Sequence, residues 1–179
     1  MTLETGHSSQ TKLKLVDQTE EHALIQRRWF LTSDPKTQTC RPIVERTDEE
    51  VLKQFRERSA LTTEHAYSVL RASDDQLVGL VRYFDLNTRN RSAEIGYLIG
   101  PAFHGQGFSR KAVGMLLEYL FNELKLNKVY AQTAEFNNRS LKLLSRLGFR
   151  LDGRLRQHHE LRGVLYDDLL LSILAEEYA

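Results

Sequence analysis

The sequence predicts one domain of mixed α/β structure, with about seven strands and four helices. The length of 179 residues suits one domain better than two. The apolar residues change from alternating to helical spacing along the chain, and short polar turns separate three consecutive strand-like segments. No internal repeat or linker interrupts this pattern. We therefore expect a single domain over residues 11–179, preceded by a flexible N-terminus over 1–10.

The first part of the chain predicts one strand and two helices. Apolar residues favour a strand near 13–16, and those from 20 to 30 fit a helix loosely. Two X-Pro pairs mark a loop over 34–42. The segment 47–50, Thr-Asp-Glu-Glu, is a capping-box pattern that opens the second helix.

The central part predicts an antiparallel meander. Strand-like segments cover 66–72, 76–86 and 92–99, and the turns between them lie at 74–75 and 87–90. Because both turns are short, neighbouring strands must run in opposite directions.

The last part returns to helical spacing. The clearest amphipathic helix starts at Gly107 and carries apolar residues at i, i+3, i+4, i+7, i+8 and i+11: Val113, Leu116, Leu117, Leu120, Phe121 and Leu124. A strand over 129–133 and a helix over 137–147 follow, with Gly148 placed to end the helix. Two strands, 150–157 and 165–174, complete the domain.

Composition and charge exclude several classes of protein. The formal net charge of +1 argues against a protein that binds nucleic acid through an overall excess of positive charge. No apolar segment approaches the ~18 residues of a membrane span. The N-terminus lacks the features of a signal peptide, so a cytoplasmic location is expected. Cys40, the only cysteine, cannot form an internal disulfide, and no motif supplies the His partner of a thiol nucleophile.

A glycine-containing turn before the strongest helix is the most informative segment. In Gly100–Lys111, GPAFHGQGFSRK, Gly105 and Gly107 allow a tight turn and a close approach to a ligand. The first amides of the following helix have no internal partner and favour an anion such as phosphate. The other interpretation is a tight strand-to-helix turn without a ligand.

Two common phosphate-binding motifs do not match this turn. A Walker loop would end in Gly-Lys-Ser/Thr, which is absent. A dinucleotide fingerprint would need a third small residue where Arg110 stands, and its strand would belong to a βαβ unit, whereas the strand before this turn belongs to the antiparallel meander.

The motifs resemble those of the GCN5-related N-acetyltransferases (GNAT). Residues 94–99, EIGYLI, and 104–110, HGQGFSR, resemble the acetyl-coenzyme A motif of that superfamily. Residues 137–140, NNRS, and 147–149, LGF, resemble its next motif. Together with 166–168, YDD, these segments most resemble the RimJ/RimL-type ribosomal-protein alanine N-acetyltransferases.

The resemblance implies a fold and a set of cofactor contacts. The fold would be the GNAT α/β (α+β) fold, a mixed, mostly antiparallel sheet of about seven strands flanked by four helices. Acetyl-CoA would be the co-substrate, and no metal is expected. The residues expected to bind the pantetheine arm or the pyrophosphate are Tyr97, Leu98, Ile99, Gly105, Gln106, Gly107, Phe108, Ser109, Arg110, Asn137 and Ser140. His104 and Ser109 depart from the usual motif, which the backbone amides should tolerate.

Two carboxylates are candidates for the general base. An amine must be neutral to attack a thioester, and an α-amine with a pKa near 8 is only ~10% neutral at pH 7. Glu94, on the strand beside the expected thioester, is the leading candidate, and Glu160, on the C-terminal pair of strands, is the competitor. Either carboxylate could instead be structural; Glu94 could lie on an exposed strand face or orient a loop.

Ser140 is the candidate partner of the departing thiolate. Many relatives carry a Tyr one helical turn further on, where this chain has Leu144. The other interpretation of Ser140 is an N-terminal helix cap.

For several other polar and aromatic residues, a purely structural role is an alternative to a functional one. A metal site could be suspected at His158, His159 and Glu160. Adjacent residues of a strand point to opposite faces, however, and the usual spacing between metal ligands is absent here. The segment Tyr166–Asp168 either lines the acceptor cleft or forms a solvated hairpin. Three aromatic residues belong either to the acceptor pocket or to the core: Trp29, Phe30 and Tyr83.

The expected function is direct transfer of acetyl from acetyl-CoA to a primary amine in a ternary complex. The acceptor favoured by the resemblance is a protein N-terminal α-amine, ribosomal or other. The alternatives are a small amine, such as a polyamine or aminoglycoside, and a non-catalytic acyl-CoA-binding module. We expect a monomer or homodimer without a membrane or nucleic-acid partner.

Overall fold

The computed structural model describes residues 12–32 and 44–178, together with the backbone of Leu3–Glu4. The expected loop over 34–42, with Cys40, lies outside the described residues. So does most of the expected flexible N-terminus, although Leu3–Glu4 pairs with the first long strand as a short antiparallel strand.

The described residues form one mixed sheet with helices on both faces. The helices are α1 (Glu20–Thr32), α2 (Asp48–Ser59), α3 (Phe108–Asn122) and α4 (Asn138–Arg146). The strands are β1 (Leu3–Glu4), β2 (Leu13–Asp17), β3 (His65–Arg71), β4 (Leu77–Asn87), β5 (Ser92–Ile99), β6 (Lys128–Ala134), β7 (Arg150–Leu161) and β8 (Val164–Leu174). Their order across the sheet is β1-β2-β3-β4-β5-β6-β8-β7. The predicted α/β fold is confirmed; the short β1 is an addition to the seven predicted strands.

Local sequence signals explain where the helices begin. At α2, the amide of Glu50 donates to Thr47 Oγ1 over 3.2 Å, and the amide of Thr47 donates to Glu50 Oε2 over 2.8 Å. This is the predicted capping box. The helix α3 begins after Gly107 and buries the predicted apolar face, including Val113, Leu116 and Leu120.

The two faces of the sheet carry different helices. On one face, the buried amide of Gln26 in α1 donates to Gly79 O over 3.2 Å, and α2 packs beside α1. On the other face, Tyr67 of β3 contacts Tyr119 of α3, with ring centroids 5.9 Å apart. The main apolar core lies between this second face and the helices α3 and α4, where Leu144 is also fully buried.

The strand β7 differs most from its predicted range. We expected it to end at residue 157, but it continues to Leu161. The register against β8 shifts between Leu155 and His159, and Gln157 has a φ of +52°. A bulge at this point interrupts the alternation that sequence patterns reveal. Every other boundary that we predicted lies within two residues of the observed one.

The seam between β5 and β6 positions the site. These strands are parallel and pair only from Ser92 with Lys128 to Glu94 with Tyr130. Beyond that point β5 stays paired with β4 up to Ile99, while β6 stays paired with β8. The two strands therefore part and leave a gap between their inner edges.

Candidate active site

A cleft of about 1670 Å³ opens where β5 and β6 part. Its floor contains the C-terminal residues of β5 and β6. One side is lined by residues of α1 and α2, and the other by the glycine turn and α4. The cleft thus crosses the sheet and connects the two layers of helices.

The glycine turn has a conformation that requires glycine at two positions. Gly105 and Gly107 have φ values of +78° and +79°, in the left-handed region, while a Cβ at either position would meet no atom within 4 Å. Backbone conformation, and not lack of space, therefore selects glycine here. The turn leaves the first amides of α3 without an intrahelical partner at the cleft.

This geometry fits the diphosphate of coenzyme A. The positive end of α3 and the side chain of Arg110 both face the cleft, and the open space at the two glycines leaves room for an anion close to the backbone. The residues of the turn are therefore the ones that would hold the diphosphate.

The open edge of β5 fits an extended ligand. The amide of Gly100 donates to Val78 O over 2.9 Å, toward β4. Because backbone groups alternate in direction along a strand, those of Leu98 also face β4, whereas those of Tyr97 and Ile99 face the cleft. The backbone groups of Tyr97 and the amide of Ile99 thus offer hydrogen bonds to an extended ligand. The carbonyl of Ile99 already bonds to His104 Nε2, and the backbone groups of Leu98 face β4.

Most residues expected to bind the cofactor do line the cleft. They are Tyr97, Leu98, Ile99, Gly105, Gly107, Ser109, Arg110, Asn137 and Ser140. The side chains of the other two point elsewhere: Gln106 donates to Ala102 O over 3.1 Å, and Phe108 is buried against Phe103.

Asn137 is the N-cap of α4. Its Oδ1 accepts a hydrogen bond from the amide of Ser140 over 3.1 Å, and its Nδ2 donates to Thr133 Oγ1 over 3.1 Å. The interpretation of Ser140 as the cap is therefore wrong: Asn137 takes that role because its side chain reaches the third amide of the helix. The hydroxyl of Ser140 is left for another contact.

That contact is with Tyr97, across the gap between the strands. The hydroxyl of Tyr97, on β5, lies 2.6 Å from Ser140 Oγ, on α4. Burial raises the pKa of Tyr97 to about 12, against the opposing effect of the Ser140 hydrogen bond. The phenol is therefore neutral at physiological pH.

Glu94 lies on the opposite face of β5 from Tyr97. Strand alternation puts Glu94 and Gly96 on the face that carries α1, whereas Tyr97 shares its face with the buried core under α3. Glu94 is partly buried and lines the cleft. A carboxylate and a hydroxyl thus approach the same gap from its two sides.

Glu160 is placed away from this gap. It lies near the tip of the β7–β8 hairpin, where its carboxylate accepts a hydrogen bond from the amide of Gly163. Within the described residues, Glu94 lines the cleft and Glu160 does not. The register shift of β7 against β8, between Leu155 and His159, comes directly before Glu160.

The histidine pair and the YDD segment form a polar cluster beside the cleft. His158 lines the cleft, while His159 is buried, with Nδ1 3.5 Å from Asp168 Oδ1. Asp168 is also buried and accepts from the cleft-lining Gln132 over 2.8 Å. Among residues 12–32 and 44–178, no group of His, Cys, Asp or Glu side chains is arranged to hold a metal ion.

The neighbours of Asp168 have structural contacts. Asp167 contacts Arg154 over 2.8 Å, and the ring of Tyr166 packs on Phe136, with centroids 4.9 Å apart. Neither lines the cleft in the described part of the chain.

The three aromatic candidates take different positions. Phe30 lines the cleft. Tyr83 belongs to the core under α3, where its ring faces Tyr119. Trp29 packs on Gly100, where an added Cβ would lie 2.9 Å from the indole.

A contact between the glycine turn and α4 was not predicted from the sequence. Arg139 Nη1 lies 3.1 Å from His104 Nδ1, and His104 Nε2 lies 2.9 Å from Ile99 O. Both residues line the cleft. The only available signal was their presence in the two family-like motifs.

Comparisons with known proteins agree with this geometry. A family model described as an acetyltransferase (GNAT) domain matches residues 12–150. The uncharacterized N-acetyltransferase p20 of Bacillus licheniformis is 29% identical over 181 residues, covering 99% of each chain. YdaF of Bacillus subtilis, whose name assigns it to the ribosomal N-acetyltransferases, is 35% identical over 105 residues, covering 59% of this chain and 57% of its own.

A solved structure extends the comparison to the bound cofactor. The spermidine N-acetyltransferase of Vibrio cholerae, in complex with CoA and spermine, superposes with a TM-score of 0.86 at 25% identity and covers 93% of this chain and 97% of its own. The family match, the fold and the cleft favour an enzyme over a binding module without activity. This chain belongs to the GNAT family of acetyl-CoA-dependent N-acetyltransferases.

Proposed function

We propose that the acceptor is an amine with a single positive charge, and in particular the α-amine of a protein N-terminus. The observation that carries this proposal is the charge balance of the acceptor side of the cleft. Four carboxylates and four guanidinium groups line the part formed by α1, α2 and their neighbouring strands: Asp17, Glu64, Asp85 and Glu94 against Arg27, Arg46, Arg58 and Arg82.

A polyamine would gain little from such a surface. A ligand with three or four positive charges is attracted by a surplus of carboxylates and repelled by guanidinium groups. Arg58 Nε also donates to Glu64 Oε1 over 2.8 Å, so these two groups neutralise each other and three charges of each sign remain. A peptide with one terminal charge suits this mixed surface better.

Glu94 is the base in this proposal. Its position on the acceptor side of β5 supports this role, because an amine arriving from α1 and α2 meets this carboxylate beside the gap. Glu94 would take the proton that the amine loses on attack, directly or through water. Acetyl-CoA supplies the thioester; Ser140, on the other side of the gap, would donate a hydrogen bond to the departing sulfur.

The RimJ/RimL-like resemblance and the name of YdaF support a ribosomal or other protein N-terminus. The second candidate is a polyamine, which the Vibrio cholerae relative supports because its structure contains spermine. A cytoplasmic location, and a monomer or homodimer, stay predictions. Among the described residues, no helix is long and apolar enough to cross a bilayer.

The test compares acceptors under identical conditions. Short peptides with free N-termini, spermidine, spermine and an aminoglycoside are each incubated with acetyl-CoA, and free thiol release is recorded. We expect kcat/KM to be highest for peptides, and an N-terminally acetylated peptide should be inert. Faster turnover of spermidine or spermine than of every peptide would contradict the proposal and establish the polyamine candidate.

A further inference from the structure

The hydrogen bond between Tyr97 and Ser140 joins the two sides of the cleft. Tyr97 belongs to β5 and Ser140 to α4, and their oxygens lie 2.6 Å apart. Each residue lines the cleft, beyond the point where β5 and β6 part. The pair therefore lies on the α3–α4 side of the gap, opposite Glu94.

The direction of this hydrogen bond follows from the chemistry of the two hydroxyls. A phenol is a stronger acid than an aliphatic alcohol and so is the better donor, and the buried Tyr97 keeps its proton at neutral pH. Tyr97 therefore donates and Ser140 Oγ accepts. The amide of Ser140 is already bonded to Asn137, so the hydroxyl proton of Ser140 is the one donor of this residue left for a ligand.

We propose that Tyr97 is a positioning residue that directs the hydroxyl proton of Ser140 toward the sulfur of bound coenzyme A. This inference rests on the proposed role of Ser140 in the transfer reaction. Tyr97 acts only through Ser140 and takes no proton itself. Through Ser140, Tyr97 thus helps to stabilise the departing thiolate. One turn further along α4, where many relatives carry a Tyr, this chain has the buried and apolar Leu144.

The bonds and charges balance without a further reactant. The acceptor attacks in its neutral form, after its ammonium group has lost one proton to solvent. The neutral amine forms the new N–C bond, and the C–S bond breaks with its electron pair on sulfur. The amine proton goes to Glu94, and coenzyme A leaves as a thiolate. Ser140 keeps its proton and donates a hydrogen bond to the sulfur, which a hydroxyl held by Tyr97 does without first reorienting.

The test uses the complex with coenzyme A and needs no acceptor. The ultraviolet absorbance of the thiolate gives the pKa of the bound thiol. In the natural protein, we expect the pKa of the bound thiol to be lower than that of free coenzyme A. Tyr97→Phe and Ser140→Ala should each raise it by about one unit, as expected for the loss of one hydrogen bond to a charged group. The double variant should match Ser140→Ala, because Tyr97 acts through Ser140.

Tyr83→Phe is the matched control, since it removes a buried phenol hydroxyl from the same face of the sheet outside the cleft. It should leave the thiol pKa unchanged. An unchanged pKa in Tyr97→Phe, or additive effects in the double variant, would overturn the inference while leaving the transferase function intact. Failure of the natural protein to bind coenzyme A, seen by calorimetry, would overturn both.

A second readout separates positioning from folding. With an accepted amine, Tyr97→Phe should lower kcat about tenfold and leave KM for acetyl-CoA within a factor of two, since the ring that packs in the cleft is retained. A change confined to KM, or a shifted unfolding midpoint that accounts for the loss, would reject a role in positioning.

Discussion

The side chain of Arg139 donates to Nδ1 of His104 over 3.1 Å. Because a guanidinium group can only donate, Nδ1 accepts this hydrogen bond, and Nε2, which lies 2.9 Å from Ile99 O, is left to donate. His104 thus links the end of β5 to the first turn of α4, at the entrance of the glycine turn. The contact holds a guanidinium group beside the expected diphosphate.

Replacing Arg139 should weaken cofactor binding. We expect Arg139→Met to raise the Kd for coenzyme A about tenfold, or about 1.4 kcal/mol, because it removes a positive charge near two phosphates. Isothermal titration at low and high salt measures the effect, which should shrink at high salt. Arg71→Met, on the distant β3–β4 turn, is the control. Equal affinities of the two variants would contradict this placement of the charge.

Gly107→Ala should destabilise the fold and weaken cofactor binding. The residue has a φ of +79°, and an L-residue in the left-handed region costs roughly 1–2 kcal/mol. Urea unfolding should reveal that loss. Gly114→Ala is the matched control, because Gly114 lies inside α3 with open space at its Cβ. It should stabilise the protein by about 0.5–1 kcal/mol. The prediction fails if both variants shift stability in the same direction.

Glu94→Gln should lower kcat by a factor of about 10² or more, which is the usual contribution of a general base. The unfolding midpoint and the Kd for coenzyme A should change little. Glu160→Gln, at the hairpin tip, should keep near-normal turnover with the same acceptor. If Glu160→Gln proved the slower variant, the assignment of the base would have to be reversed.

Gly100→Ala should disturb the packing of α1 on the end of β5. An added Cβ would lie 2.9 Å from the indole of Trp29, and overpacking of this kind typically costs about 1–3 kcal/mol. Trp29 is the only tryptophan, so its fluorescence reports the change directly. Gly153→Ala, with no atom near its Cβ, is the control and should be neutral. A fluorescence spectrum unchanged by Gly100→Ala would rule out the close contact.

Asp167 should contribute stability that is lost in acid. The hydrogen bond from Arg154 comes first among the causes that hold its pKa below the ordinary 3.8, followed by the amide of Gln157. A lowered folded pKa gives stability that is fully present above the unfolded value and disappears as pH falls through the folded one. The stability difference between the natural protein and Asp167→Asn should therefore be largest near pH 7 and vanish below the folded pKa. A difference that grows in acid would contradict the sign.

Much of the fold could be predicted because its signals are local. The capping box at Thr47 and the helical spacing from Val113 to Leu124 each depend on residues within one element. The glycine turn was also recognisable, because Gly105 and Gly107 occur between a strand and a helix. These segments identified the phosphate side of the cleft.

The remaining features depend on contacts between distant residues. Tyr97 and Ser140 are 43 residues apart, and they meet only because β5 and β6 part after Glu94. The bulge at Gln157 breaks the alternation of β7, so the sequence pattern could not place Glu160. Tyr83, on β4, faces the core under α3, whereas Phe30 belongs to α1 on the other side of the sheet and lines the cleft; the sequence shows only that both are aromatic.

The short seam from Ser92 to Glu94 has a mechanical consequence. The strands β1 to β5 and the strands β6 to β8 form two parts of the sheet, and the short backbone pairing between β5 and β6 joins them. A cofactor arm lying between their inner edges would hold the two parts of the sheet together while it delivers the acetyl group. Binding of acetyl-CoA would then both make the cleft more rigid and supply the reactive thioester.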